Sequence, residues 1–165
     1  INHLVALGMS NATATTRFPG YQNNCDIRKL ATNMVPFPRL HFLMQGQAPL
    51  FSAGNNQFEK LGAAEVCQQM FDSRCLFSDA GDLNVHGKIL TASCLMRGEN
   101  VSICELESTI AKMKGKNSGA FVEWIPDNMM NTICKVPAYK SDISGTFIAN
   151  STAQNQGFSN LLTNF

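Results

Sequence analysis

Most of what would announce a chemistry is missing from these 165 residues. There is no C-x-x-C, and His3, His41 and His86 do not gather near any of the six cysteines (25, 67, 75, 94, 104 and 134). A zinc site needs close ligand pairs, so no metal is expected. The phosphate-cradling patterns G-x-x-x-x-G-K-[ST] and G-x-G-x-x-G do not occur, nor does the G-x-S-x-G of a serine nucleophile. No apolar run approaches the ~20 residues of a membrane span. Net charge is only +1, which advertises neither a nucleic acid nor an anionic membrane as partner. Nothing like a secretory leader precedes the first helix. No repeat, low-complexity tract or linker divides the chain, so it reads as a single domain, 1–165.

What is present is an apolar, lightly charged chain, 44% hydrophobic and 15% charged, long enough for one core. Several cysteines fall inside apolar stretches and read as buried, reduced thiols of a cytoplasmic protein. Sequons at Asn11, Asn100 and Asn150 read as chance. The chain opens on Ile1, and Phe158, Leu161, Leu162 and Phe165 form a helical stripe that runs to the last residue. Both ends suggest a segment cut from a longer chain.

Ile1, Leu4, Val5 and Gly8 are spaced as on a helix, to about Ala14, and Arg17-Phe-Pro-Gly20 breaks it. Asn24 can cap a second helix with Asp26 in its first turn, and Ile27, Leu30, Ala31 and Met34 would be its buried face. Pro36 and Pro38 end that helix and force an extended exit. Leu40–Met44 is a strand candidate buried on both faces, followed by a long loop, 45–61. Ala63–Arg74 suits a helix, and 73–87 is irregular. Ile89–Met96 suits a strand. Ser102 and Glu105 form a capping box for a helix with Ile103, Leu106, Ile110 and Met113 as its stripe. Phe121–Ile125, Asn131–Val136 and Ser144–Ala149 suit strands. Ser151 or Thr152 caps the last helix. The fold class is α/β with an α+β-like order: a mixed sheet flanked by helices.

No residue presents itself as catalytic. His41 in an apolar segment reads as a satisfied core histidine, and Trp124 as core. Glu105 and Glu107 read as helix residues rather than an acid pair. Met129 and Met130 read as packing. The cluster Gly20, Asn24, Asp26, Arg28 and Lys29 is different, because a loop and first helical turn present N–H groups and charges outward.

The segment around that cluster carries a resemblance. "NHLV", "RFPG", "NMVPFPRLHF", "QQMFD", "HGK" before "ILT", "RG", "KNS", "FVEWIP" and "TFIANSTA" occur along the whole chain in the order found in tubulins. The chain resembles the β branch most. The stretch between Cys134 and Thr146 is short where α-tubulins carry an insertion, and Lys29 stands where they have a catalytic Glu.

The resemblance implies a partial chain of the tubulin intermediate-domain type. Residues 1–16 would end the central helix, 17–150 would form the sheet and its helices, and 151–165 would start a following helix. The GTP-binding domain would lie outside the chain, so GTP or GDP would belong to the full-length family protein and the segment alone would not be an enzyme. The implied function is a structural subunit of the microtubule cytoskeleton, paired with α-tubulin. The alternative is a non-polymerising or truncated relative that acts as a binding or regulatory module.

Site residues follow by position. Gly20, Asn24, Asp26 and Lys29 would face the neighbouring subunit's nucleotide, on a loop about one residue longer than the family's. An ammonium at position 29 is a poor base at neutral pH and would contact the nucleotide without promoting hydrolysis. Ser52, Gly54, Gln57, Phe58 and Glu59 would form the lateral-contact loop. There, Phe58 replaces a Tyr and Glu59 an Arg. Tubulin-binding small molecules are also implied. A degraded taxane-like pocket would include His3, Leu7, Gln47, Pro49 and Phe51, and weak taxane binding is expected. A colchicine-like pocket would include Lys29, Leu30, Asn33, Met34 and Met130.

Overall fold

The computed structural model describes residues 1–18, 20–22, 26–50, 61–78, 87–139 and 141–165. The described residues form eleven helices and strands. They are α1 (Asn2–Ala12), α2 (Ala14–Arg17), β1 (Gly20–Gln22), α3 (Ile27–Met34), β2 (Met44–Ala48), α4 (Ala63–Met70), β3 (Ile89–Arg97), α5 (Ile103–Lys116), β4 (Met129–Cys134), β5 (Ser144–Ser151) and α6 (Gln154–Asn164). Short 3-10 turns occupy Ser73–Cys75 and Ser118–Ala120.

The sheet is five-stranded and mixed, in the order β1-β4-β3-β5-β2. Among the described strands the β3–β4 pair alone is parallel, and α5 lies in the crossover between the two strands. β2 and β5 pair antiparallel from Met44↔Ala149 to Ala48↔Gly145. β3 is buried along its whole length, with Thr91, Ser93 and Arg97 interrupting its apolar residues.

Strand alternation sends residues to two different layers. Ala92, Cys94 and Met96 of β3 face α4 and α5, with Phe147 and Ala149 of β5 and Met44 and Ala48 of β2. There they meet Val66, Cys67 and Met70 of α4 and Leu106 and Ile110 of α5. Gly145 gives the methionines of this layer their room: a Cβ there would collide with the Met70 sulfur and lie 3.0 Å from that of Met96, so both side chains would have to shift. The other sheet face meets α1, α2 and α3. Leu95 and Cys134 pack on Ala14 there, but most of its buried side chains are polar. At the end of β3, Gly98 adopts φ 156°, and a Cβ would lie 2.9 Å from the Asp142 carbonyl oxygen.

Several expectations change. The strand expected at Leu40–Met44 forms at Met44–Ala48 instead. Residues 40–43 are irregular, with Leu40 and Phe42 exposed. Bends and turns at 36–39, where Pro36 and Pro38 stand, lead into this stretch, and its apolar run does not enter the ladder. Phe121–Ile125 is not a strand: only Phe121 makes an isolated bridge, to Ile89, before a series of turns that ends at Pro126-Asp127. Trp124 is 62% exposed there and leans on Phe37, with ring centroids 5.9 Å apart. His41 is exposed as well, its Nδ1 within 2.9 Å of the Pro38 carbonyl oxygen.

Helix ends also shift. The helix expected over Ala63–Arg74 stops at Met70, and a 3-10 turn follows with Asp72 as its N-cap. Ser102 does precede α5, yet no side-chain capping bond forms. Such a bond does form at α4, where Glu65 Oε2 accepts the Gly62 N–H at 3.1 Å. Asn24 lies outside the described residues, and the N-cap of α3 is Asp26. Of the face expected for α3, only Met34 is buried: Ile27 and Ala31 are exposed and Leu30 is half-buried. The last helix is capped by Ala153 rather than by Ser151 or Thr152, though Ser151 Oγ accepts the Ala153 N–H at 3.2 Å.

Candidate functional site

Two residues tether α3, the helix that carries the outward cluster. Its last carbonyl, on Met34, accepts from Thr91 Oγ1 at 2.7 Å and from Asn150 Nδ2 at 3.0 Å. The same Asn150 amide nitrogen donates to the Leu40 carbonyl at 2.7 Å. Helix end, proline segment and sheet therefore meet at one buried amide. This satisfies a carbonyl that a helix C-terminus would otherwise leave orphaned. Asn33 Nδ2 adds a contact to the Met130 sulfur at 3.4 Å.

With its C-terminus held, α3 presents its opposite end outward. Asp26, Ile27, Arg28 and Lys29 are all exposed. Asp26 makes no side-chain capping bond, so its carboxylate is not committed to its own helix. The turn offers backbone N–H groups, one carboxylate and two cations to whatever lies opposite.

A second polar assembly joins α1 to the sheet. Arg97, at the end of β3, is buried. Its Nη1 donates to Asn11 Oδ1 at 2.6 Å, its Nε to the Val136 carbonyl at 3.0 Å and its Nη2 to the Pro137 carbonyl at 3.1 Å. The Phe18 ring covers the guanidinium, 5.2 Å from centroid to Cζ. Asn11 Nδ2 passes the chain on to Gln47 Oε1 at 2.7 Å, which also accepts from Thr146 Oγ1 at 3.0 Å. Among the described residues no carboxylate pairs with Arg97. Burial pulls its pKa down from the ordinary arginine value, but an arginine keeps its charge through such a shift.

A cleft of about 300 Å³ lies where β3 ends, α5 begins and β4 closes, lined by Gly98, Glu99, Val101, Cys104, Ile133 and Lys135 among others. It coincides with none of the expected site sets. Among the described residues no group of three His, Cys, Asp or Glu could hold a metal.

The expected sites are placed unevenly. Asp26 and Lys29 come together on the first turn of α3, and Gly20 lies in β1 opposite Cys134. Asn24, Phe51 and the lateral-loop residues Ser52, Gly54, Gln57, Phe58 and Glu59 lie outside the described residues. His3 and Leu7 stand on α1, exposed and half-buried, and Pro49 follows β2. Gln47 is fully buried, with its side chain engaged by Asn11 and Thr146. Lys29, Leu30, Asn33 and Met34 share α3, and Met130 reaches them through Asn33.

Arg97 and Asn150 are the structural residues that sequence reasoning passed over. The available signal was a charged or amide side chain inside or at the end of an otherwise apolar strand, since such groups are buried only when bonded. Asn11 and Asn150, two of the three sequon residues, are buried and hydrogen-bonded.

A family profile described as the tubulin C-terminal domain matches residues 38–163. The chain belongs to the tubulin family. It is 47% identical to a tubulin beta chain of Aspergillus fumigatus and 46% identical to a tubulin beta-1 chain of Homo sapiens, over all 165 residues in both cases. A tubulin beta-3 chain of an oomycete-like species is 46% identical over 158 residues, 96% of this chain. The chain spans about a third of the length of these relatives, 35–36%. Tubulin membership accounts for the mixed sheet flanked by helices, and for a match that runs through the proline segment, the sheet and the last helix. Among the described residues no helix is long and apolar enough to cross a membrane.

Proposed function

We propose that this chain is part of a β-tubulin-like subunit that pairs with α-tubulin in a cytoskeletal polymer, and that α3 faces the nucleotide of the neighbouring subunit. The carrying observation is the anchoring of α3. Its C-terminus is fastened through Met34 to Thr91 and Asn150, while Asp26 and Lys29 stand exposed at the other end. The full-chain identity to tubulin beta chains supports the subunit type.

GTP or GDP would be held mainly by residues outside this chain. From this side the first turn of α3 would supply helix N–H groups and the Lys29 ammonium to the phosphate end. An ammonium favours phosphate contact and does not accept a proton from water at neutral pH. The ordinary role of this segment is thus contact rather than catalysis.

Co-pelleting of the full-length protein with αβ-tubulin polymer tests the subunit reading. The protein is expected in the pellet, and its retention in the supernatant would refute polymer membership. Lys29→Glu tests the orientation of α3. The substitution is expected to raise GTP turnover at the contact Lys29 faces, and unchanged turnover in a polymer-competent variant would remove α3 from the nucleotide.

A further inference from the structure

We propose that the cleft where β3 ends and α5 begins is a covalent binding site for a compact, neutral α,β-unsaturated carbonyl compound, which the Cys104 thiol captures. The cleft holds about 300 Å³, within the range of small-molecule sites. Its walls set the class of occupant. Val101, Ile103 and Ile133 give it an apolar side that a compact hydrocarbon body can cover. Its charged residues, Glu99 and Lys135, are opposite in sign, so the lining carries no net charge and favours a neutral molecule over an ion. A second cleft of about 500 Å³ shares Glu99 and Lys135 and continues along Val136 and Pro137, which leaves room for a substituent.

The reactive group is Cys104, in the first turn of α5. It lines the cleft and is exposed, so a reagent reaches it without any opening of the fold. The other described thiols lack both properties: Cys67, Cys94 and Cys134 are buried, and Cys75 is half-buried in its 3-10 turn. As a thiolate, the Cys104 sulfur attacks the β carbon of the acceptor. The C–S bond forms and the C=C π bond breaks, its electron pair passing to the carbonyl oxygen as an enolate. The α carbon then takes a proton from water in place of the one the thiol gave up. Nothing is oxidised or reduced and no group leaves. The first-turn N–H groups of α5, which the Ser102 side chain does not cap, are the donors for the enolate oxygen.

The site needs neither a nucleotide nor a polymer, so it stands or falls apart from the subunit reading. Its test is reaction of the full-length protein with N-methylmaleimide and with N-cyclohexylmaleimide, followed by peptide mapping. The two reagents carry the same electrophile and differ in their apolar body. The preference of Cys104 for the cyclohexyl compound is expected to be about tenfold greater in the folded protein than after unfolding in urea, the effect of burying about two CH₂ groups. A thiol that is merely exposed would show the same preference in both states, and that result overturns the proposal. Ile103→Ser should return the preference to its unfolded value and leave the reaction with N-methylmaleimide unchanged, while Cys67 and Cys94 stay unreactive in an intact fold. A folded Ile103→Ser variant that keeps the preference also overturns the proposal. The comparison of folded and unfolded parent needs no variant, so it decides the question even if Ile103→Ser does not fold.

Discussion

The two faces of the sheet bury comparable elements by different means. The layer under α4 and α5 is built from Met, Ala, Cys, Ile and Phe and is held by area alone. The layer under α1, α2 and α3 places Asn11, Gln47, Thr91, Arg97, Thr146 and Asn150 out of water and joins most of them to another segment. Apolar contact is non-directional and accepts several packings. A buried amide or guanidinium accepts only the geometry that satisfies it. The first face supplies cohesion, and the second sets where α1 and α3 sit.

Substitutions can break that contrast. Truncation on the apolar side should cost most: Phe147→Ala removes a fully buried ring that contacts Phe71, and a loss of about 4 kcal/mol is expected in denaturant unfolding. An exchange of like branching on the polar side comes next. Asn150→Leu keeps the forked side-chain shape yet strips the Leu40 carbonyl of its donor, so about 2–3 kcal/mol should go. The same variant should expose the amides of α3 to faster hydrogen exchange, while those of α5 keep their protection. Thr91→Val should cost about 1 kcal/mol, because Asn150 still serves the Met34 carbonyl. Met44→Leu, its counterpart on the apolar side, should cost no more than about 1 kcal/mol. If Asn150→Leu proved as mild as Met44→Leu, the two faces would not differ in the way described.

The smallest effect belongs to the exposed Asp72–Arg74 pair, 2.9 Å apart. The side-chain hydrogen bond from Arg74 holds the Asp72 carboxyl below its ordinary value. A depressed carboxyl contributes stability that is present above the unfolded pKa, about 3.9, and lost as pH falls through the folded one. Asp72→Asn should therefore leave unfolding midpoints almost unchanged at neutral pH, with any difference from the parent vanishing in acid.

What could be read in advance divides along the same line. The stripe Leu106, Ile110 and Met113 and the run from Ile89 are local periodic patterns, and both became the expected elements. The apolar run at 40–44 has the same local look, but it follows the bends and turns at 36–39, and the strand begins at Met44. Trp124, expected in the core, has surroundings that depend on a turn at Pro126 and Asp127, the latter at φ 48°. The polar layer was the least legible. Arg97 finds its acceptors at Asn11, Val136 and Pro137, and Asn150 finds its own at Met34 and Leu40, so each partnership exists only after folding. Within the outward cluster, Asp26 and Lys29 could be paired from spacing because one helical turn holds both.

Asn11 and Asn150 carry a further consequence. Each heads an N-x-S/T sequon, and each side-chain nitrogen is spent inside the molecule, on Gln47 in one case and on Met34 and Leu40 in the other. An oligosaccharide attached at either nitrogen would consume a donor and demand space that the interior does not have. Glycosylation of the nascent chain and formation of this fold exclude each other at those two positions, and of the three sequons in this sequence Asn100, exposed in the turn after β3, is the one whose side chain stands in solvent.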